Sequence, residues 1–362
     1  MKNYLTKFAC LLLCSGFLFS CSDDDDINYK PDMNGAYIFN FGNWGAGGSS
    51  ISQFDYNNSV MTNDFYELVN GIELTGNIEY AYNYNDQTFL LENNPDQIIT
   101  LNDTLAQLKN GVPLENPRAC VGNGNYLYIS CWGDTPDWNL MPDSYIAKYN
   151  INTMTVEDTI FIAGGPEGVE MANGKLYVAM NFKKNVAVIN LDDNSISYIE
   201  TPAVCSYFVK DDDNNLYVSF VGTSLDPSYK TGLGYIDTVN DKLTNYSLAN
   251  VSSSYSQIMT MNNDKSKIYV IAAPWVKDAN GKWSMVGGIF VFNTETKAFE
   301  ADPVISNILG ADAITVNPEN DDLYITTSPS FTDPGVLNVY GSDGIFKKTY
   351  TTGISPNHII FL

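Results

Sequence analysis

The sequence predicts an all-β fold, a seven-bladed β-propeller that is closed by its own C-terminal strand. Three observations support this prediction: a strand core that recurs seven times, short strands and polar turns around each copy, and a C-terminal tail that matches the start of other repeats. We assign residues 1–20 to a signal peptide, 21–34 to a lipidated acidic tether, and 35–362 to the propeller.

The N-terminal segment has the features of a bacterial lipoprotein signal peptide. Two lysines precede an apolar stretch that ends just before Cys21. This stretch is about half of the ~20 residues that a membrane-spanning helix needs, so we expect it to be cleaved. Cys21 then carries the lipid, and this anchor is the only predicted attachment to the membrane. The alternative is an ordinary signal peptide that happens to precede a cysteine.

The acidic run at residues 23–26 resembles the surface-export signal of Bacteroidetes lipoproteins. The resemblance implies a lipid-anchored protein of the outer membrane that faces the extracellular side. The alternative is a run that only solvates the tether.

The acidic composition excludes two classes of partner. Without the two lysines of the signal peptide, 17 basic residues remain against 42 acidic ones, a net charge of −25. Such a surface repels nucleic acid and anionic membranes, so we predict neither as a partner.

Metal and cofactor chemistry is not expected either. The chain has one histidine, His358, and no cysteine spacing resembles a zinc site, so we predict no metal and no cofactor. The cysteines after Cys21 are Cys120, Cys131 and Cys205. We expect them to be buried free thiols, with one disulfide as the alternative.

The repeated strand core is a short apolar run with a central aromatic residue. The central aromatics lie 39 to 55 residues apart, close to the ~40–50 residues of a four-stranded blade. A polar turn precedes most cores, two more short strands follow them, and no helical period is evident. The seven cores are Ala36-Tyr37-Ile38, Thr88-Phe89-Leu90, Leu127-Tyr128-Ile129, Leu176-Tyr177-Val178, Leu216-Tyr217-Val218, Ile268-Tyr269-Val270 and Leu323-Tyr324-Ile325.

The two ends of the chain together complete one blade. No apolar strand precedes the first core, whereas the chain continues beyond the last repeat with Ser355-Pro356-Asn357-His358 and an apolar tail. This segment resembles Asn116-Pro117-Arg118 and Gly165-Pro166-Glu167, which begin other repeats. We therefore predict that residues 359–362 form the innermost strand of the first blade, which leaves fewer exposed strand edges.

Loops on one face of the propeller are the first set of candidates for ligand binding. We place all five tryptophans in loops between second and third strands or at their mouths, where rigid indoles suit a flat or amphipathic ligand. The alternative is that each tryptophan packs against its own loop. Long loops at 131–144, 222–231 and 273–287 also carry Asp137 and Lys277. The loop candidates are Trp44, Trp132, Trp138, Asn181, Tyr229, Trp275 and Trp283.

The starting positions of the innermost strands are the second set, because they line the channel at the same face. They can hydrogen-bond a ligand over the pore, or they can simply line a water-filled channel. These positions are Glu79, Arg118, Glu167, Tyr207, Tyr255, Asp312 and His358.

Signatures of catalysis are absent from the sequence. It contains no Gly-x-Ser-x-Gly elbow, no His-Glu-x-x-His and no Gly-rich phosphate loop, so we predict a binding protein and not an enzyme. The less favoured alternative is a lactonase-type enzyme in which Glu167, Asn181 and Asp312 hold calcium.

The segment Asn40-Phe41-Gly42-Asn43-Trp44-Gly45 resembles the opening of YncE-like propeller lipoproteins of Bacteroidetes, although Phe41 stands where that motif has an acid. One branch, the BtuG type, captures vitamin B12 and related corrinoids and sits on the TonB-dependent transporter BtuB. The resemblance implies a surface lipoprotein that captures a corrinoid and passes it to a BtuB-like transporter. A propeller that binds a glycan or another protein is the alternative.

Overall fold

Seven antiparallel β-sheets are arranged as blades around a central channel. The structure is a computed structural model, and it describes residues 35–134, 140–222, 230–252, 256–277, 281, 283–330 and 332–362. The predicted all-β, seven-bladed propeller is confirmed.

Blades 1 to 4 contain the first half of the chain, and the innermost strand of blade 1 comes from the C-terminus. In chain order their strands are β1 (Gly35–Asn40), β2 (Ser50–Asp55), β3 (Val60–Thr62), β4 (Asn77–Tyr84), β5 (Gln87–Asn93), β6 (Gln97–Leu101), β7 (Gln107–Pro113), β8 (Pro117–Asn123), β9 (Tyr126–Cys131), β10 (Tyr145–Asn150), β11 (Thr155–Phe161), β12 (Pro166–Ala172), β13 (Lys175–Met180), β14 (Asn185–Asn190) and β15 (Ile196–Glu200).

Blades 5 to 7 follow, and the last strand returns to blade 1. Their strands are β16 (Val204–Lys210), β17 (Leu216–Val221), β18 (Gly232–Asp237), β19 (Lys242–Ser247), β20 (Met259–Met261), β21 (Lys267–Ala272), β22 (Trp275–Lys277), β23 (Trp283–Asn293), β24 (Ala298–Phe299), β25 (Ile305–Leu309), β26 (Ala311–Val316), β27 (Leu323–Thr327), β28 (Pro334–Tyr340), β29 (Phe346–Ile354) and β30 (Pro356–Phe361).

Each predicted core lies on the second strand of a blade, which is buried on both faces. In blade 4, Leu176 and Val178 pack into a hydrophobic cluster shared with blade 3, whereas Tyr177 packs into the cluster shared with blade 5. All three side chains are fully buried. Because neighbouring blades cover both faces, the strand reads as a continuous apolar run and not as an alternating one.

The C-terminal strand closes the ring as predicted. β30 pairs antiparallel with β1, and Ile359 lies opposite Ile38. β1 therefore lies between β30 and β2, with strand partners on both sides. The innermost strands β30, β4, β8, β12, β16, β20 and β26 contact one another in order around the channel. The closing strand begins at Pro356, three residues before the predicted segment.

Two elements differ from the sequence prediction. A short helix, α1 (Phe65–Asn70), follows β3 and buries Phe65 and Tyr66. The predicted loop 273–287 contains β22, which pairs with the first residues of β23, so blade 6 has six strands and not four. Within the described ranges, no helix has the length and apolarity needed to span a bilayer.

The three cysteines of the propeller are free and buried, as expected. Burial raises the pKa of each thiol, that of Cys205 to about 12, because the interior disfavours the thiolate. These thiols are therefore apolar packing groups and not nucleophiles.

Candidate functional site

The two faces of the propeller differ in the turns that they carry. We call the face with the loops between second and third strands the loop face, and the face with the turns between first and second strands the hairpin face. Each innermost strand begins at the loop face and runs to the hairpin face, because blades are antiparallel sheets. The chain enters the propeller at Gly35, on the hairpin face beside Leu362.

The loop from residue 41 to residue 49 holds Trp44 on the loop face. The backbone N–H of Phe41 donates to the carbonyl of Ser355 over 2.8 Å. The side-chain amide of Asn77 donates to the carbonyls of Phe41 and Asn43 over 2.9 and 2.8 Å. These bonds attach the loop to blades 1 and 2, so its backbone is held in one conformation.

Trp44 lies at the tip of this loop with one ring face free. The N–H of Ala46 donates to the carbonyl of Asn43, which closes a turn in which Gly45 has a φ of +68°. Trp44 is 74% exposed and stacks on Phe41, with ring centroids 5.8 Å apart and planes 8° from parallel. An exposed indole on a fixed backbone is typical of a binding residue.

A recess lies beside the Trp44 loop. It has a volume of about 270 Å³ and is bordered by Gly48 and Ser49 of the loop, by Tyr66 and Glu67 of α1, and by Ile354. The loop that carries Trp44 therefore also borders a concave surface on the loop face.

The innermost strands carry register irregularities near their starts. A residue of the innermost strand has no partner at these points, as in a β-bulge, and the irregularity recurs in six blades. The positions skipped in the strand register include Glu79, Arg118, Glu167, Asp312 and Asn357. Most of the predicted channel positions therefore coincide with these bulges.

Arg118 binds two carboxylates at the loop-face end of the channel. Its Nη2 lies 2.6 Å from Glu79 Oε1, and its Nε and Nη2 each lie 3.1 Å from the oxygens of Glu167. The guanidinium also lies 4.1 Å from the ring centroid of Trp132. Burial raises the pKa of Glu167 to about 7, although Arg118 opposes this effect. Three innermost strands, β4, β8 and β12, thus meet in one buried charge layer.

Trp132 packs against this charge layer and is not exposed on the loop face. Its side chain is 4% exposed, and its indole N–H donates to the carbonyl of Pro166 over 3.1 Å. The ring also makes an edge contact with Phe182. The predicted placement near the loop face is correct, but the indole faces inward.

A cavity of about 290 Å³ lies in the channel on the hairpin side of the charge layer. His358 borders it and is 2% exposed, with its ring centroid 4.4 Å from that of Tyr80. Burial lowers the pKa of His358 to about 3, so the imidazole is neutral at neutral pH. The polar lining residues are Tyr80, Tyr82, Asn83, Glu170, Tyr207, Gln257 and His358.

The other predicted site residues are dispersed. The side-chain amide of Asn181 donates to the carbonyl of Cys205 over 3.2 Å. Asp312 accepts a hydrogen bond from Ser328, and burial raises its pKa to about 7. Trp275 and Trp283 begin the paired strands β22 and β23, so they do not lie in an irregular loop. The residues outside the described ranges are Cys21, Asp137, Trp138, Tyr229 and Tyr255.

The described residues offer no group of three or more His, Cys, Asp or Glu side chains that could hold a metal ion. Glu167, Asn181 and Asp312, which the lactonase alternative requires, each bind a different partner.

Several channel residues were not anticipated. Tyr80 and Tyr82 line the cavity, and Glu170 pairs with Lys210 over 2.8 Å at its edge. The alternation of tyrosines in Tyr80-Ala81-Tyr82-Asn83-Tyr84 is a sequence signal for one polar strand face. The channel also contains the chain's single arginine, Arg118, and its single histidine, His358, both of which the sequence analysis placed there.

The fold and the channel define a seven-bladed β-propeller with an open loop face. The family model described as "Domain of unknown function (DUF5074)" matches residues 34–344, and the chain belongs to this family. No match is found among curated proteins.

Solved propellers share the fold at low sequence identity. A quinonprotein alcohol dehydrogenase-like protein from Bacteroides thetaiotaomicron VPI-5482 is 18% identical with a TM-score of 0.65, over 91% of this chain and 78% of that one. A Lactobacillus plantarum protein is 13% identical with a TM-score of 0.61, over 91% and 100%. A putative 6-phosphogluconolactonase from Bacteroides fragilis NCTC 9343 is 10% identical with a TM-score of 0.58, over 91% and 98%.

Proposed function

We propose that this propeller is a surface lipoprotein that captures a ligand on its loop face, without catalysing a reaction. The observation that carries the proposal is Trp44, whose exposed indole is held by Phe41 and by a hydrogen-bonded loop. A rigid aromatic surface loses little conformational entropy on binding, so most of its contact energy contributes to affinity.

The ligand that we propose is a corrinoid. A flat macrocycle with amide side groups can stack on Trp44 and place one side group in the neighbouring recess. The recess of about 270 Å³ and the channel cavity of about 290 Å³ are each too small for a whole macrocycle, so binding would take place on the surface. The resemblance of the Trp44 loop to YncE-like lipoproteins, with the BtuG-type branch among them, supports this choice.

The site of attachment supports a role at the cell surface. The chain enters the propeller on the hairpin face, so a tether from a lipidated Cys21 joins the propeller opposite the Trp44 loop. The loop face is then free for the ligand and for a TonB-dependent transporter of the BtuB type, to which we propose that the ligand is transferred.

Calorimetric titration with cyanocobalamin tests the proposal, with the mature chain carrying Cys21→Ser to remove the lipid. We expect saturable binding, and we expect Trp44→Ala to weaken it about tenfold or more, as for a central aromatic contact. The matched control is Tyr198→Ala, because Tyr198 is also exposed, at 47%, but lies on the outer strand β15. The absence of binding at micromolar cyanocobalamin would rule out the corrinoid.

Parallel titrations with oligosaccharides address the glycan alternative. If an oligosaccharide gives binding heat that disappears in Trp44→Ala, and cyanocobalamin gives none, then the loop face is the binding surface and the ligand is a glycan.

A further inference from the structure

The channel cavity is a second candidate site, separate from the Trp44 loop. Its walls are formed by parts of β4, β12, β16 and β30, together with Gln257. It shares no lining residue with the recess beside the Trp44 loop. A ligand in the cavity and a ligand on the loop face would therefore contact different residues.

The cavity opens toward the hairpin face. On its other side, the side chains of Glu79, Arg118 and Glu167 are only 5 to 6% exposed, and Arg118 binds both carboxylates. At the end of the cavity nearest the hairpin face, Asn83 is exposed, and the side chains of Glu170 and Lys210 are 22% and 35% exposed. A small molecule would thus enter past Glu170, opposite the face proposed for capture.

The charged groups around the cavity are already paired. Glu170 binds Lys210 over 2.8 Å, and Arg118 binds both of its carboxylates. His358 is neutral at neutral pH, because burial lowers its pKa to about 3. An anion would find no unpaired cation in the described walls, and a cation would find no unpaired carboxylate. The lining therefore favours an uncharged ligand.

The uncharged groups of the lining can both donate and accept hydrogen bonds. His358 is 2% exposed and borders the cavity, and its Nδ1 has no hydrogen-bond partner among the described residues. The phenol rings of Tyr80 and Tyr207 lie near each other on the cavity wall. Gln257 Oε1 accepts from the N–H of Ile359 over 3.0 Å, which fixes this side chain on the wall. A buried polar atom without a partner is costly, and a ligand hydroxyl would satisfy it.

We propose that the channel cavity binds a small uncharged polyhydroxylated molecule, a monosaccharide or a cyclic polyol, which enters from the hairpin face. Sugar rings present C–H faces, which pack on the tyrosine rings, and hydroxyl edges, which reach His358 and Tyr207. The volume of about 290 Å³ holds one ring and excludes an oligosaccharide.

The single histidine makes the cavity directly observable. In the mature chain with Cys21→Ser, labelled with ¹⁵N-histidine and purified without a histidine tag, the side-chain imidazole signals come from His358 alone. We would titrate separately with glucose, galactose and myo-inositol, and with choline and acetate as charged controls. A saturable shift of the imidazole nitrogens with at least one of the three uncharged compounds is the expected result.

Two variants locate the binding. Tyr207→Phe keeps the ring and removes one hydroxyl, so we expect the affinity to fall about three- to tenfold. Trp44→Ala leaves the cavity intact and should not change the affinity, which separates this proposal from capture at the loop face. No saturable shift with any uncharged compound, or a stronger shift with choline or acetate, would overturn the proposal, and this readout requires no variant.

Discussion

At the scale of single residues, the one arginine of the chain neutralises carboxylates that would otherwise be buried without a counter-charge. Glu79 and Glu167 come from different blades, and both bind Arg118. A buried charge that loses its partner costs far more than the pair contributes. Arg118 therefore joins three blades, and it stabilises the fold as well as lining the candidate site.

We predict that Arg118→Gln lowers the free energy of unfolding by about 3–5 kcal/mol at pH 8, because two buried carboxylates lose their cation. Urea denaturation followed by tryptophan fluorescence measures the change. Lys242→Gln is the control, since Lys242 is exposed on β19, and we expect a change within about 0.5 kcal/mol. An equal effect of the two substitutions would contradict this role for Arg118.

Glu92 gives a prediction about pH. Burial raises its pKa from the usual 4.5 to about 7, and Gln97 donates to its Oε2 over 2.7 Å. The folded chain therefore keeps a proton that the unfolded chain loses between these pH values. The stabilisation that this proton gives the folded state is fully present below about pH 4.5 and is lost as the pH rises through 7.

Glu92→Gln should remove this pH dependence. We compare the free energy of unfolding of the wild type with that of the variant. The difference, wild type minus variant, should be larger at pH 5 than at pH 8 by on the order of 2 kcal/mol. Urea denaturation of both proteins at the two pH values measures the difference. A stability difference that is the same at both pH values would show that Glu92 titrates normally.

Sequence reasoning located candidate residues more reliably than it oriented them. Arg118, Glu167 and His358 do lie on the channel, because their positions at the starts of repeats fix where they fall on the innermost strands. The orientation of Trp132 could not be predicted, because it depends on the guanidinium and the carbonyl that contact its ring across two blades.

At the scale of strands, hydroxyl residues fill the irregularities of the innermost strands. The N–H of Ala119 donates to Ser130 Oγ over 3.0 Å, and the N–H of Ala313 donates to Thr326 Oγ1 over 3.0 Å. Ser219 accepts from the N–H of Tyr207 in the same way. Each hydroxyl residue directly follows a repeated core, so the pattern Leu-Tyr-Ile/Val-Ser/Thr predicts a bulge on the neighbouring strand.

We predict that Ser130→Ala lowers the free energy of unfolding by about 1–3 kcal/mol, because the buried N–H of Ala119 loses its acceptor. Thermal or urea unfolding measures the loss. Ser197→Ala, at an exposed position of β15, is the control and should change stability by less than about 0.5 kcal/mol. If Ser130→Ala changes stability no more than the control does, then a water molecule replaces the hydroxyl, and the sequence pattern does not predict the bulge.

The tyrosine of the repeated core joins neighbouring blades. Tyr177 in blade 4 donates to Asp241 Oδ1 of blade 5 over 2.6 Å. In blade 2 the corresponding residue is Phe89, which has no hydroxyl. There Tyr149 of blade 3 supplies the hydroxyl instead and bonds Thr100 of blade 2 over 2.9 Å. A tyrosine hydroxyl thus joins neighbouring blades in both cases, although the tyrosine lies on a different strand.

The strand cores could be predicted because burial on both faces produces the same apolar run in every blade. α1 was missed, because its six residues are too few to show a helical period. The β22–β23 hairpin was also missed, although the sequence Asn280-Gly281 between the two strands is of a kind that favours hairpin turns. In that case the signal was present, and the length of the segment led to its interpretation as a loop.

At the scale of the whole molecule, the last seven residues hold the ring together. β30 supplies the innermost strand of blade 1 and contacts both β26 and β4. The carbonyl of Pro356 also accepts from Thr326 Oγ1 over 2.8 Å. Without this strand, blades 7 and 2 lose their contacts in the channel, and β1 becomes an exposed edge.

We predict that a chain that ends at Ser355 does not unfold cooperatively and is rapidly degraded by protease. Thermal unfolding followed by circular dichroism, together with limited proteolysis, measures both properties. The control is a chain extended by a short Gly-Ser segment after Leu362, which should retain the wild-type midpoint temperature. A cooperative transition in the shortened chain would show that six complete blades and an open first blade form a stable fold.

The position of β1 between two partners also has a mechanical consequence. In the lipoprotein that we propose, a pull on the membrane anchor would reach the propeller at Gly35 and act first on β1, which is hydrogen-bonded to β2 on one side and β30 on the other. A load along this strand must shear two ladders of hydrogen bonds together and cannot unzip a single edge one bond at a time. The N-terminal strand of the propeller is thus built to resist extraction by force.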